Sequence, residues 1–425
     1  MAHIFSPLRG RPMALLWGGL SLSAIGDQLY TVALTWIAVS VLGANAGYLT
    51  ALQAGIVLLA VLGIGRWADR WDSRSSMIGA DMCRVGVLLA IVLPWMATGA
   101  VSSLQLVGTV AVLAIGQSVF QPALQTMLPQ LIEDKALLPA ANGLLDATDR
   151  SARLLGPGLI GLLGGLIPVM HFLTLDAASF LASATAVALI GKDRSGPVPV
   201  PRAQEAVLAN ISRGVRAMRG HKLLGFVFQT GGLVNGAWYA AFYLALPLLI
   251  RQHGVTGPGG SGIAAFGLVI SAYGCTNLAA TLVIGSRTMP AQPQGQMFGG
   301  NLLMGTAILL LALATRLPAG WILPGLMASA ALGAAGGPMR DIPTAVLRQT
   351  RLRQADMGAA MRASMAMTNA GALGAMLLVP SLIGAIGAPA VLIVCGVAYL
   401  VVGLSGLRRF ADWTETEAGL PASQR

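Results

Sequence analysis

The chain has 425 residues, of which 55% are hydrophobic and only 10% charged, with a mean hydropathy of +0.73. Soluble globular proteins carry about 25% charged residues, so this chain has too little charge to cover its surface in water, and a soluble enzyme and a disordered chain are both excluded. The formal net charge of +11 would suit nucleic-acid binding only on the basic face of a soluble domain; basic loops beside membrane spans explain it instead.

A helix that crosses a bilayer needs about 20 mostly apolar residues at ~1.5 Å rise each. Runs of that kind fall at 13–41, 47–65, 75–97, 103–128, 140–166, 169–191, 223–250, 261–285, 295–315, 319–342, 356–386 and 389–408, which predicts an all-α polytopic membrane protein with twelve spans. The first run follows Arg9 and Arg11, outruns a signal-peptide core and contains Asp27, so it is read as a retained span. Twenty of the 27 Lys and Arg lie at the termini or in even-numbered connections, against two, Arg251 and Arg316, in odd-numbered ones. Basic residues concentrate on the cytoplasmic side, so both termini are expected to be cytoplasmic, in the cell inner membrane. The three cysteines, Cys83, Cys275 and Cys395, lie far apart in apolar runs and read as small apolar fillers.

The longest polar connection divides the chain into a bundle of six helices over 1–191, a cytoplasmic linker over 192–222, and a second six-helix bundle with its tail over 223–425. Gly196, Pro197, Pro199 and Pro201 open the linker as an extended segment. An amphipathic stretch follows, with Ala206, Val207, Ile211, Val215 and Met218 opposite Arg213, Arg216 and Arg219. Its apolar face is expected to rest on the inner membrane surface. A six-plus-six plan is common among transporters built from repeats.

Charge inside a span costs about 2.5–3.5 kcal/mol at a helix centre, so such residues face protein or a wet cavity. Arg84, Arg150, Arg153, Arg340 and Arg362 share the spans with Asp27, Asp81, Asp146, Asp149, Asp176 and Asp341, and Asp356 stands at a boundary. Asp81–Arg84 at i,i+3, and Asp146–Arg150 and Asp149–Arg153 at i,i+4, can each meet on one helix face. The pairs Asp81–Arg84 and Asp146–Arg150 are expected to be buried ion pairs, while Asp149 and Arg153 are also candidates for a polar cavity. Neighbouring Arg340 and Asp341 point in different directions on a helix and are not expected to pair. They and Arg362 lie close enough to span ends to reach the interface.

Asp27 lies about 20 Å along the first span, near mid-membrane, with no base nearby in sequence. A lone carboxyl in that setting can exchange a proton with the aqueous phases, so Asp27 is the candidate proton carrier. Gln117, Gln121 and Gln125 form a stripe along span 4, and Gln28, Asn235, Tyr239, Tyr273, Asn277 and Asn369 add polar groups in both halves. Any one of these can be packing glue. As a set they predict a central polar cavity, with Gln28, Gln117, Gln121, Asp149, Arg153, Asn235, Tyr239, Tyr273, Asn277 and Asn369 as substrate candidates.

After span 2 the chain reads Gly65-Arg66-Trp67-Ala68-Asp69-Arg70-Trp71-Asp72-Ser73-Arg74, where a small residue permits a tight turn and the charges can pair with helix ends. Gly65, Asp69, Arg70 and Arg74 resemble the loop motif of the major facilitator superfamily at the position where that family carries it; Asp72 and Ser73 depart from it. Leu155-Gly156-Pro157-Gly158 with Gly161 in span 5 allows close helix approach and a bend, and Gly156, Pro157 and Gly161 look like the Gly-Pro motif of that superfamily's antiporters. Gly26-Asp27, Gln121-Pro122-Ala123 through Leu128-Pro129, Ala141-Asn142-Gly143 and Asp176-Ala177-Ala178-Ser179-Phe180 resemble the drug:proton antiporter branch that holds macrolide-efflux and enterobactin-exporter proteins. The resemblance is best over 13–191 and thinner over 223–408.

The resemblance implies a two-bundle fold that alternates between inward-open and outward-open forms, with Asp69 and Arg70 closing a cytoplasmic gate and the span-5 motif limiting leakage. It implies export of a small organic molecule by proton antiport, with no cofactor beyond the proton gradient, no metal and no nucleic acid, in a monomer embedded in the lipid bilayer. A siderophore or other organic anion is the alternative substrate to a drug-like compound, since intramembrane Arg residues suit it. An importer or an intramembrane enzyme is less expected: the four histidines lie at termini or loop edges, and no His-Glu-x-x-His, Gly-x-Ser-x-Gly or Walker loop occurs.

Overall fold

The computed structural model describes residues 5–60, 72–132, 134, 137–191, 207–287, 290, 292–411 and 413. Helices take up nearly all of them: α1 (Arg11–Leu42), α2 (Ala46–Leu59), α3 (Ser73–Thr98), α4 (Ser103–Leu131), α5 (Leu138–Leu163), α6 (Met170–Leu189), α7 (Val207–Gly220), α8 (Lys222–Gln252), α9 (Gly262–Gly285), α10 (Pro293–Ala314), α11 (Ala319–Arg351), α12 (Gln354–Ile386) and α13 (Ala388–Arg409). In lipid every backbone N–H and C=O must bond within its own segment, and the helix does that.

Ten stretches are long and apolar enough to cross a membrane, the first running from Arg11 to Leu59. That stretch breaks at Gly43, whose φ of +58° suits a residue without Cβ, so it holds two rods. The α5 helix misses the criterion because it carries Asp146, Asp149, Arg150 and Arg153. Counting these brings the total to the twelve that hydropathy predicts, and the chain is an all-α multi-pass membrane protein.

Helix ends follow local chemistry. Asp72 caps α3, accepting from the Ser75 N–H at 2.9 Å, and Ser102 with Gln105 forms a capping box on α4. Gly99 and Gly387, at φ +70° and +83°, end α3 and α12. Within α8 the segment Ala240–Ala245 widens to a π-helix just before Pro247, whose missing N–H interrupts the regular ladder. The α11 helix is interrupted at Ala335 and then continues to Arg351, beyond the expected end at residue 342.

Two compact units form. One comprises Met1–Gly43, Leu59–Ala203 and Pro258–Gly267, the other Ala44–Leu58, Gln204–Gly257 and Leu268–Arg425. This grouping by packing cuts across the division of the chain at 191 and 223: α2 packs with the second unit, and the start of α9 with the first. Glycine makes both placements feasible. A Cβ on Gly47 of α2 would lie 2.8 Å from Leu244 and from Pro380, and one on Gly267 of α9 would lie 2.6 Å from the Gly161 backbone and 2.8 Å from the Pro157 carbonyl.

In the first unit α6 lies against both α1 and α3, α3 against α4, and α5 against α1. In the second, α10 packs on α13 and α11, and α12 packs on α7 and α8. The α7 helix departs from its expected place along lipid. Met218 is buried, and Ile211 and Val215 pack around the same core as Leu223, Phe298, Leu347 and Ala360. At Gly214 a Cβ would collide with the carbonyl of Ala359 on α12. An apolar stripe that meets complementary protein is removed from water there and has no need of the bilayer surface.

Candidate functional site

The first unit builds a charged cluster from four helices. Arg84 of α3 is 2% exposed, and its Nη1 donates to Asp81 Oδ1, one turn earlier, at 3.2 Å. Its Nη2 donates to Gln117 Oε1 of α4 at 2.7 Å. The guanidinium lies between the rings of Phe120 and Phe180, 5.0 and 4.9 Å from their centroids, a setting that favours a cation. Gly116 makes the room: a Cβ there would come within 2.8 Å of Arg84 Nε.

Asp176 of α6 is fully buried, and its Oδ1 accepts from the Ser179 hydroxyl at 3.3 Å. Gly26 leaves space for that carboxyl, since a Cβ would lie 2.6 Å from Oδ1. Asp27 follows on α1, half-buried. Arg84 is bonded to Asp81 alone of the three carboxyl groups and lies within electrostatic reach of Asp27 and Asp176. Ser183 is a hydrogen-bonding neighbour of Asp81, whereas Asp176 Oδ2 is buried with no hydrogen-bond partner among the described residues. Such an orphaned atom is costly in a low-dielectric interior. Among the described residues no group of acidic, His or Cys side chains is arranged to hold a metal.

Spacing along one helix correctly pairs Asp81 with Arg84. The other pairs form but differ in setting. Asp146–Arg150 meets at 2.9 Å with side chains 62% and 48% exposed, so the pair expected to be buried is an exposed one. Asp149–Arg153 meets at 2.8 Å and is also exposed, although Asp149 still acts electrostatically on Asp27. Helix α5 turns this face away from the unit's interior.

The uncharged candidates separate. Gln117 joins the Arg84 cluster, whereas Gln121 is exposed. Gln28 lies where α1 crosses α5, and a Cβ on Gly156 would collide with its own Cβ. Asn235 donates to the Thr368 carbonyl at 2.9 Å, tying α8 to α12, and Asn277 to the Ala334 carbonyl at 2.9 Å, beside the interruption of α11. Asn369 bonds its own helix at Met365. Tyr273 accepts from Trp238 Nε1 at 3.2 Å, and Tyr239 meets Trp238 edge-on and Tyr243 at a tilt. Asn235 and Asn277 are thus helix-to-helix ties. Of the loop motif, Gly65, Asp69 and Arg70 lie outside the described residues. Arg74 donates to the carbonyls of Val187, Ala188 and Ile190, at 3.2, 2.6 and 2.8 Å, closing the C-terminal end of α6, where a cation opposes the helix dipole.

One arginine differs from its expected disposition. Arg340 does pair with Asp341, Nε to Oδ1 at 2.9 Å, because its long side chain folds back over one residue. Arg362 donates twice to Asn210 Oδ1 of α7, at 2.9 and 2.7 Å. Asp176, which no sequence spacing ties to Arg84, and the cavity beside Arg340 and Arg348 in the second unit are what sequence reasoning missed. The only local signal for the former was its own intramembrane charge.

Apolar rods that bury charge among themselves define a multi-pass membrane protein with a polar interior. Residues 16–352 match the model of the Major Facilitator Superfamily, and the chain belongs to that superfamily; it is a transporter, not an enzyme. Solved structures with a similar fold include a POT family transporter in complex with a thioalcohol-conjugated peptide, at 13% identity and a TM-score of 0.71, covering 96% of this chain and 97% of that one. A point mutant of the nucleoside transporter NupG is similar at 12% identity and a TM-score of 0.69, covering 93% of this chain and 100% of that one. A bacterial homologue of the iron transporter ferroportin, in its inward-facing state, is similar at 12% identity and a TM-score of 0.67, covering 93% and 98%. These likenesses concern the fold. No curated protein sequence matches the chain.

Proposed function

We propose that this transporter exports a small organic molecule across the cell inner membrane in exchange for protons, as the drug:proton antiporter branch does, with Asp27 as the proton carrier. The observation that carries the reading is the grouping of half-buried Asp27 with Asp81 and Asp176 around the single guanidinium of Arg84. Three carboxyl groups within electrostatic reach of one cation lack positive charge, and a proton is the smallest species that supplies it. Asp27, the least buried of the three, is the member able to trade that proton with water. Arg84, clamped by Gln117 and two aromatic rings, cannot follow a proton out and so stays as a fixed counter-charge.

In this account proton loss from Asp27 strengthens its attraction to Arg84 and proton gain weakens it, which gives the helices two arrangements for the transport cycle to alternate between. The gradient is the only energy source, with no bound cofactor. The excess of basic residues in the even-numbered connections and at the ends supports cytoplasmic termini, and a monomer is the working unit. Asp69 and Arg70 remain the proposed gate of the loop motif. A second reading, a dedicated exporter of a siderophore or other organic anion, is favoured by the arginines in the second unit, Arg340 and Arg348, which line a cavity there.

Metabolite profiling of a strain lacking the gene tests the direction and class of transport. An exporter predicts a small organic solute retained inside the mutant cells. Loss of that solute from the cells, with gain in the medium, contradicts export.

A further inference from the structure

The second unit holds a cavity of about 170 Å³ between α8, α10, α11 and α12. Drug-sized ligands occupy sites of about 300–1,000 Å³, so this volume suits a small molecule or one end of a larger one. Its walls are of two kinds. Phe228, Val234 and Met367 are among the apolar ones, while Arg340, Asp341 and Arg348 bring charge together with the side chains of Asn301, Thr230 and Ser364.

The charges do not cancel. Asp341 is bonded to Arg340 at 2.9 Å and acts on Arg348 only from beyond ion-pair distance, so one carboxylate stands against two guanidinium groups. Arg348 has no ion pair among the described residues. Its Nη1 makes only long contacts, to Met361 Sδ at 3.6 Å and Ser364 Oγ at 3.5 Å. A guanidinium holds its donors in a rigid fork that matches a carboxylate, and a half-buried one with only marginal acceptors lacks its natural partner. Tyr273 and Tyr399 also lie within electrostatic reach of Arg340, and no second carboxylate of the described residues lines the cavity.

We propose that this cavity binds an amphiphilic organic anion, a carboxylate on a small apolar body, with Arg348 holding the charged group and the Phe228 side receiving the body. The inference deepens the transport reading by naming a substrate class, and it rests on that reading only for the claim that the bound anion is cargo. An oxyanion reaching this cavity has two sources, a free solute or the headgroup of an anionic lipid, and the proposal commits to the solute.

The test uses the full chain in phosphatidylcholine nanodiscs, with benzoate as the probe and benzamide as its neutral counterpart. Saturable binding of benzoate, at least ~10-fold weaker binding of benzamide, and a loss of ~10-fold or more in Arg348→Gln are expected, since a bond to a charged group is at stake. Arg348→Lys, which keeps the charge and loses the fork, is expected to fall between. Equal binding of benzoate and benzamide overturns the proposal, and so does unaltered benzoate binding by Arg348→Gln. Discs containing phosphatidylglycerol are expected to bind benzoate equally well; loss of binding there assigns the cavity to a lipid headgroup and overturns the solute claim. Because no proton gradient is involved, failure of anion binding leaves the proton-coupling account standing, and failure of proton coupling leaves this site standing.

Discussion

Arg84 is the buried partner of Asp81 and the cation within electrostatic reach of Asp27 and Asp176, and that makes it the residue whose loss should cost most. Replacing one partner of a buried ion pair leaves the other uncompensated, at about 3–5 kcal/mol. Arg84→Gln should therefore lower the thermal unfolding midpoint of the purified protein strongly, whereas Arg150→Gln, which removes an exposed pair, should cost at most about 1 kcal/mol. Equal midpoints for the two variants would show that the Arg84 cluster is not a buried network. The contrast also marks where residue-level reading of the sequence ends. Helical spacing pairs Asp81 with Arg84 because both lie on one helix. It cannot reach Gln117 or Asp176, brought in by α4 and α6, nor distinguish the exposed face of α5 from a buried one. It also treats side chains as rigid spokes, which is why Arg340 and Asp341 were expected apart and are bonded.

Glycine governs how closely the helices approach. A Cβ on Gly371 of α12 would collide with the Gly232 carbonyl of α8, while one on Gly374, a turn along α12, would meet nothing within 4 Å. Gly371→Ala should destabilise by about 1–3 kcal/mol through overpacking, and Gly374→Ala should be neutral or gain up to about 1 kcal/mol from a stiffer helix. Thermal unfolding of the pair measures both; a neutral Gly371→Ala would contradict the α8–α12 contact. At this scale the sequence is most legible, since lipid demands some 20 apolar residues per crossing and hydropathy places most of the spans within a few residues of their helices. What it misses follows from the same physics. Hydrogen bonding continues past the apolar stretch, so α11 runs on to Arg351. The π segment in α8 and the docking of α7 on α12 depend on partners, and hydropathy carries no partner information.

On the scale of the whole molecule, the twelve-span count requires both chain ends on one side of the membrane. Tags at the two ends, probed with an impermeant protease on intact and permeabilised spheroplasts, should both be protected until permeabilisation. Exposure of one end alone would contradict an even number of spans. The order of spans and the superfamily are readable from the sequence because charge asymmetry and loop motifs are local in the chain. The grouping of α2 with the second unit and of the start of α9 with the first is not, because it arises from glycine-lined contacts between residues far apart in the chain.

The claim on which the functional account turns is that Asp27 carries the proton that drives transport. Its most direct measurement is accumulation, in proteoliposomes with an acidic interior, of the solute retained by cells lacking the gene, while interior pH is followed with an enclosed dye. The wild type should accumulate the solute and dissipate the gradient together, and Asp27→Asn should equilibrate the solute without accumulating it or moving protons. Full gradient-driven accumulation by Asp27→Asn would contradict the account.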